Sequence, residues 1–513
     1  MTIDRFRNLP DVTRRQLLLG GATLGTIAAV GTACGDTKSP QSQAIGPRSA
    51  AVGAAERRRR RSGARIVSYQ LVAQPAEIDL GAGITVATWA YGGGAPGPTM
   101  HARAGDMLHV VVRNRLPVST TVHWHGIALR NDMDGVPGIT QKAIPAGRSM
   151  TYEFTAPDPG TYWFHSHVGT QLDRGLYGPL ILDDPTDRGD YDVEHIVVLD
   201  DWLDGTGRTP DQVLANLKAN GMGVGMGGMS GGGHSGGSMP GMAMSQLLGG
   251  DAGDVRYPHY LVNGRVPTAP TTLNAKPGQR IRLRLINASA DTAYRVALGG
   301  HQVTVTHTDG YPVEPVTADA LLIGMAERYD VTVTVADGIF PLVASAEGKR
   351  GQGLALLRTA SGAPPAATVH PPELDRRVLT QEDLHATDSV QLPSRTVDRT
   401  HNLELGGDMA SYRWTINGRT YDHRQPLPVR QGERVRLRFT NKTRMFHPMH
   451  VHGHTFQIRN GSQAGPRKDT VIVPPSRTVV ADLNADNPGQ WLTHCHNVYH
   501  QEAGMMTVLS YGA

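Results

Sequence analysis

Two cysteines in 513 residues exclude a disulfide framework, and their positions, Cys34 and Cys495, point to separate tasks. Charge is scarce too, with Asp, Glu, Lys and Arg making up 19% of the chain. The formal net charge is +4, but residues 1–65 carry twelve Arg/Lys against four Asp/Glu, so everything after them sums to −4. A body without a basic excess excludes nucleic acid as a partner. No comfortable membrane span is present in the apolar stretch after Arg15, which is short and interrupted by glycine. Long helices are excluded by 61 glycines and 34 prolines, since neither residue is tolerated in helix interiors. What remains is an all-β, turn-rich chain long enough for about three domains.

The segment "TRRQLLL" (13–19) sets an arginine pair before an apolar run and reads as a twin-arginine export signal. "GTAC" (31–34) resembles a bacterial lipoprotein cleavage box with Cys34 as the lipid-bearing residue; simple cleavage is the other reading. Either one puts the mature protein outside the cytoplasmic membrane, in the periplasm or cell envelope. Residues 1–34 thus read as a signal and 35–65 as a basic tether. Its run Arg57 to Arg61 is a solvated linker or a contact for anionic lipid.

Internal repetition organises the rest. "GDMLHVVVRN" (105–114), "GQRIRLRLIN" (278–287) and "GERVRLRFTN" (432–441) each run from a glycine to an asparagine nine positions later. Leu108/Val110/Val112, Ile281/Leu283/Leu285 and Val435/Leu437/Phe439 recur at period two, so one side of each strand faces a core. The expectation is three β-sandwich domains, at 66–188, 189–365 and 391–513, with a linker at 366–390.

Eighteen residues after the first repeat glycine stands "HWHG" (123–126), and eighteen after the third stands "HVHG" (450–453). "PGTYWFHSH" (159–167) matches "PGQWLTHCH" (488–496) in the same way, while the second copy has no such histidines. Residues i and i+2 of a strand share a face, so each His-X-His aims two imidazoles one way. The eight candidates, His123, His125, His165, His167, His450, His452, His494 and His496, converge if the first and third domains meet. Imidazoles alone suit zinc, copper, iron or nickel. Cys495 decides, because two histidines, a thiolate and a weak axial methionine make a blue-copper site, and His447, His500 and Met505 stand nearby in sequence. In the first domain those slots hold Thr120, Ser166 and Gln171, so only the third can bind the blue copper.

The segments "HWHG", "HSH", "HPMHVH" and "HCHNVYHQEAGM" resemble the four signatures of the multicopper oxidases, across roughly residues 66 to 513. The resemblance implies three cupredoxin-like Greek-key sandwiches, four copper ions and reduction of O2 to water. By motif, His447, Cys495, His500 and Met505 would hold the type 1 ion, and His123 and His450 the type 2 ion. His125, His165, His167, His452, His494 and His496 would hold the type 3 pair. The resemblance also assigns proton handling to Asp134, in "DMDGVPG". Where some members have an acid directly after the last histidine ligand, this chain has Gln501 and then Glu502, the candidate second donor.

The substrate clue is a Met/Gly-rich insert at 221–244, holding six of the 17 methionines. Thioethers are soft ligands that select Cu(I). The expected reaction is therefore oxidation of Cu(I) to Cu(II), hence copper tolerance, with a phenol-oxidising laccase as the alternative. A non-enzymatic copper-buffering protein would not need the eight histidines. Some cuprous oxidases have an acid four residues before the first type 1 histidine; here that residue is Thr443, with Met445 a substitute.

Overall fold

Each repeat strand occupies the same place in a two-sheet sandwich. Met107–Asn114 pairs in parallel with Ile66–Gly81 and antiparallel with Ser149–Thr155. Arg280–Asn287 does so with Val193–Trp202 and Arg328–Thr334, and Arg434–Asn441 with Arg399–Asp408 and Thr478–Asn484. A hairpin cannot join parallel neighbours. In each domain the chain therefore crosses to the facing sheet, through Met100–Arg103, Thr271–Asn274 or Leu427–Val429, before returning. This computed structural model describes residues 44–187, 189–222, 243–461 and 463–512. The signal segment, Cys34 and residues 223–242 of the Met/Gly-rich insert lie outside the described residues.

The asparagine that ends each repeat has a structural task. Asn114 Nδ2 donates to the carbonyls of Val118 and Ile144, both at 2.8 Å. Asn287 does the same to Thr292 and Ile323, at 2.9 and 3.1 Å, and Asn441 to Met445 and Val473, at 2.8 and 2.9 Å. One side chain thus closes the loop that leaves the strand and, in the second and third domains, ties it to the opposite sheet through Ile323 and Val473, satisfying carbonyls that would otherwise cost stability.

The period-two apolar residues are all buried. In the second domain the other face is buried as well, and it carries arginines. Arg282 bonds Asp330 Oδ2, and Arg284 reaches both Asp330 Oδ2 and Thr161 Oγ1, the latter at 2.9 Å. That face lies against the first domain, so its charges are paired rather than solvated.

Of the expected solvated tether, residues 44–65 are described, and they pack on the protein although Arg57, Arg58, Arg60 and Arg61 remain exposed. Ala50–Arg59 is a helix capped by Ser49, and Glu56, 2% exposed, accepts from Thr155 N and Oγ1 at 3.0 and 2.8 Å. Upstream, Ile45 N donates to Tyr511 O at 2.8 Å. The segment therefore runs from the last strand of the third domain onto the first domain. The linker region is also engaged, since Val378–Leu379 adds a parallel strand beside Ala320–Ile323. Among the described residues, no helix is long and apolar enough to cross a membrane.

Candidate metal centre

Two short strand pairs carry the eight histidines in matching register. His123–His125 runs antiparallel to Gly160–His165 with His123 opposite His165, and His447–Val451 runs antiparallel to Gln490–Cys495 with His450 opposite His494. The sequence match between "HWHG/HSH" and "HVHG/HCH" is thus a match of register. The first and third domains meet on these strands and bring the eight rings into one continuous cluster, in which His123 stacks on His452 and His125 on His450, each at a centroid distance of 3.8 Å. His125, His165 and His496 have centroids 4.9 to 5.7 Å apart, while His167, His452 and His494 lie 5.1 to 5.2 Å apart. His123 and His450 lie 5.8 Å apart.

Six of the rings have one nitrogen fixed by a neighbouring group, which decides where the lone pair points, while both ring nitrogens of His496 are buried with no protein partner. His123 Nδ1 donates to Asp134 O at 2.8 Å, His165 Nδ1 to Ser166 O at 2.9 Å and His450 Nδ1 to Asp469 O at 2.9 Å. Their Nε2 atoms are buried with no protein partner. His125 is reversed: Nε2 donates to Asp469 Oδ1 at 3.0 Å and Nδ1 is the unpartnered atom. His452 Nδ1 donates to Asp134 Oδ2 and His494 Nδ1 to Cys495 O. Their Nε2 lone pairs therefore face each other at 3.0 Å. Burial, reinforced by neighbouring imidazoles, pulls His125, His165, His452, His494 and His496 far below the usual histidine range and His167 down to about 3. Neutral rings with converging lone pairs and no proton between them are an unpaid repulsion that a cation relieves.

The second site repeats this logic with sulfur. His500 Nε2 donates to Asp254 Oδ2 at 2.9 Å and His447 Nε2 to Thr443 Oγ1 at 2.8 Å. Both Nδ1 atoms then turn inward, 3.1 Å apart, at 3.6 Å (His447) and 3.7 Å (His500) from Cys495 Sγ. The point equidistant from these three atoms is about 2 Å from each, a metal–ligand length. Burial raises the Cys495 thiol, so a bound metal must drive its deprotonation. Met505 is fully buried beside it, with its N–H on His500 O and its carbonyl accepting from Cys495 N. Trp414 covers His500 at a centroid distance of 4.0 Å.

The multicopper oxidase family's sequence profiles match residues 73–187, 194–362 and 394–512, one per sandwich. The chain is a multicopper oxidase. It is 52% identical over 511 residues to "Multicopper oxidase MmcO" of Mycobacterium tuberculosis, covering 97% of this chain and 96% of that protein. It is 31% identical to "Copper resistance protein A homolog" of Pseudomonas syringae pv. tomato, covering 80% and 87%. Among solved structures, a multicopper oxidase from Pseudomonas thermotolerans superposes with TM-score 0.65 at 27% identity, covering 88% of this chain and 100% of that one. The sandwiches are accordingly cupredoxin-like, and the family binds copper and uses O2. Imidazoles and a thiolate, with lone pairs turned inward, are a donor set that copper fits.

In this multicopper oxidase Asp134 is fully buried and orients rings from two domains, His123 and His452. The glycine after it is required: at φ 86°, a Cβ on Gly135 would sit 2.0 Å from Val122 O. Glu502 lines a cavity of about 470 Å³ that also reaches His167, Val136, Lys218 and Gln501. Burial raises its carboxyl above the usual range. The emptied slots of the first domain are filled by hydrogen bonds. Thr120 Oγ1 and Ser166 Oγ both donate to Gln171 Oε1 at 2.7 Å, and Gln171 Nε2 donates to Ser119 O at 2.8 Å.

Sequence reasoning missed three orienting groups. Thr443, noted only as a missing acid, accepts from His447. Asp254 of the second domain holds His500, and Asp469 holds His125 and His450. Burial alone would raise Asp469, but the Arg328 guanidinium outweighs it and holds the carboxyl well below its usual range. Asp254 and Asp469 carry no local pattern, because they act across a domain boundary or through a tertiary contact, whereas Thr443 lies only four residues before His447 and the expectation of an acid at that position hid its hydroxyl.

Proposed function

We propose that this multicopper oxidase oxidises Cu(I) to Cu(II) and passes the electrons to O2. His447, Cys495, His500 and Met505 would hold the type 1 ion, and His123 and His450 the type 2 ion. The triangles His125/His165/His496 and His167/His452/His494 would hold the type 3 pair. Bound copper at these positions supplies one-electron transfer and delivers four electrons to each O2, giving two waters. The chain itself supplies the link: His494 Nδ1 donates to the carbonyl of Cys495 at 2.9 Å, so residues 494 to 496 join both sites by covalent and hydrogen bonds. Asp134 and Glu502 would hold the protons that water formation consumes, Asp134 against His452 and Glu502 on the cavity that reaches His167.

The observation that carries Cu(I) as substrate is where the methionine-rich segment is anchored. On one side Met222 N donates to Met409 O at 2.9 Å; on the other, residues 243–254 lead to Asp251 and Asp254. Asp254 accepts from the type 1 ligand His500, its other oxygen is buried without a partner, and so is Asp251 Oδ2. Soft thioethers collect Cu(I), whereas hard carboxylates favour Cu(II), so passage from one to the other assists oxidation. Relatives named copper resistance proteins agree with this role. Deleting residues 223–242, or Asp251→Asn, should slow oxygen uptake with Cu(I) more than with a bulky phenol; equal slowing would leave the phenol-oxidising reading in its place.

We also infer export by the twin-arginine segment and a lipid tether at Cys34, facing the same compartment in which copper is detoxified. Cys34→Ala should release the protein from membranes, and unchanged partitioning would remove the tether.

A further inference from the structure

The second domain gives the cluster no histidine, yet it reaches the cluster with one side chain. Arg328, fully buried at the start of the strand Arg328–Thr334, donates to both oxygens of Asp469, Nη1 to Oδ1 at 2.9 Å and Nη2 to Oδ2 at 2.5 Å. Its Nε donates to Thr161 O at 3.1 Å, on the strand that ends in His165, and Nη1 also donates to Ala326 O at 3.0 Å. One guanidinium thus touches all three domains. Asp469 in turn accepts from His125 of the first domain through Oδ1 and from His450 of the third through its carbonyl.

The segment that carries Asp469 is seated on the second domain at three consecutive residues. Lys468 Nζ donates to Thr308 Oγ1 at 2.6 Å and pairs with Asp309 and Glu327 at 3.2 and 3.1 Å. The N–H groups of Asp469 and Thr470 both donate to Asp309 Oδ2 at 3.2 Å. Thr470 Oγ1 donates to Asp469 Oδ1 at 2.9 Å and lies 3.2 Å from His450 Nδ1. The position of the Asp469 carboxylate is therefore set by the second domain, and the lone pairs of His125 and His450 are set by Asp469.

We infer that Arg328 is a positioning residue for the oxygen-reducing cluster: it fixes Asp469, which fixes the tautomer and tilt of His125 and His450. The domain without ligands is thereby part of the metal centre. A planar fork matters here, because it meets both carboxylate oxygens at once, while a lysine ammonium is a point charge that meets one. Asparagine at 469 cannot serve both neighbours, since its amide NH2 would face either the guanidinium or the imidazole N–H as donor against donor.

The inference rests on the eight histidines binding copper, and the test separates the two. The copper-loaded full chain is compared with Arg328→Met, Arg328→Lys, Asp469→Asn and, as control, Arg282→Met, whose side chain pairs with Asp330 and touches no cluster histidine. Copper retention against a titrated chelator, the type 2 EPR signal and the blue absorption per chain are measured. Arg328→Met and Asp469→Asn should hold cluster copper about 10- to 100-fold more weakly with an altered type 2 signal, while blue absorption stays. Arg328→Lys should fall between them and wild type, and Arg282→Met should match wild type. Wild-type retention and type 2 signal in Arg328→Met would overturn the inference, as would an equal loss in Arg282→Met or a parallel loss of blue absorption. A wild type that held no copper at the histidine cluster would instead overturn the copper assignment itself.

Discussion

Gly126→Ala places a methyl group where Arg328 and Asp469 meet the "HWHG" turn. Gly126 has φ 86°, and an ideal Cβ there would lie 2.5 Å from Arg328 Nη2 and 2.6 Å from Asp469 Oδ2. The left-handed backbone costs an alanine about 1–2 kcal/mol. The clash adds about 1–3 kcal/mol, because neither atom belongs to a chain free to swing aside. Gly138→Ala isolates the first term: its φ is 74°, but no atom lies within 4 Å of its Cβ. The two variants should therefore differ by about 1–3 kcal/mol, or about 2–12 °C in the melting of a domain of this size. Calorimetry of both copper-loaded proteins, with copper counted per chain, gives the comparison. Gly126→Ala should melt lower and lose cluster copper while keeping its blue absorption. Equal melting and equal copper in the two variants would refute the reasoning.

Cys495→Ser should abolish the blue absorption and substrate oxidation while cluster copper stays; a variant that remained blue would contradict the assignment of the thiolate. Glu502→Gln should slow reoxidation of the reduced enzyme by O2 in stopped-flow measurements. Because burial raises the Glu502 carboxyl, the wild-type rate should fall as pH rises through that raised value, and the glutamine variant should lack this descent; parallel pH profiles would exclude Glu502 as a donor. Gln171→Leu removes the shared acceptor of Thr120 and Ser166, so it should cost about 1–3 kcal/mol of stability with copper content unchanged, and a loss of copper would show that the first-domain slot takes part in metal binding.

The parts of this molecule that were legible in the sequence are those written at short period. The alternation around Leu108, Ile281 and Val435 marked three sandwiches, and the His-X-His pairs marked a shared face, because i and i+2 positions of a strand cannot point apart. Equivalence of Thr120, Ser166 and Gln171 to the blue-copper residues followed from offsets alone, and their side chains do meet. Most of what orients the ligands was not legible, since Arg328 and Asp469 lie 141 residues apart and His500 and Asp254 lie 246 apart. The helix Ala50–Arg59 escaped for a similar reason. Its arginine-rich composition suggests solvent, and only the tertiary bonds of Glu56 to Thr155 show which face is held.

The central claim is that one chain couples oxidation at the Cys495 site to complete reduction of O2 at the histidine cluster, with Cu(I) as the electron source. An oxygen electrode trace with the copper-loaded enzyme and limiting Cu(I) tests it most directly. One O2 consumed for every four Cu(I), without peroxide, is the predicted result. Uptake with a phenol but none with Cu(I), or peroxide as the product, would contradict it.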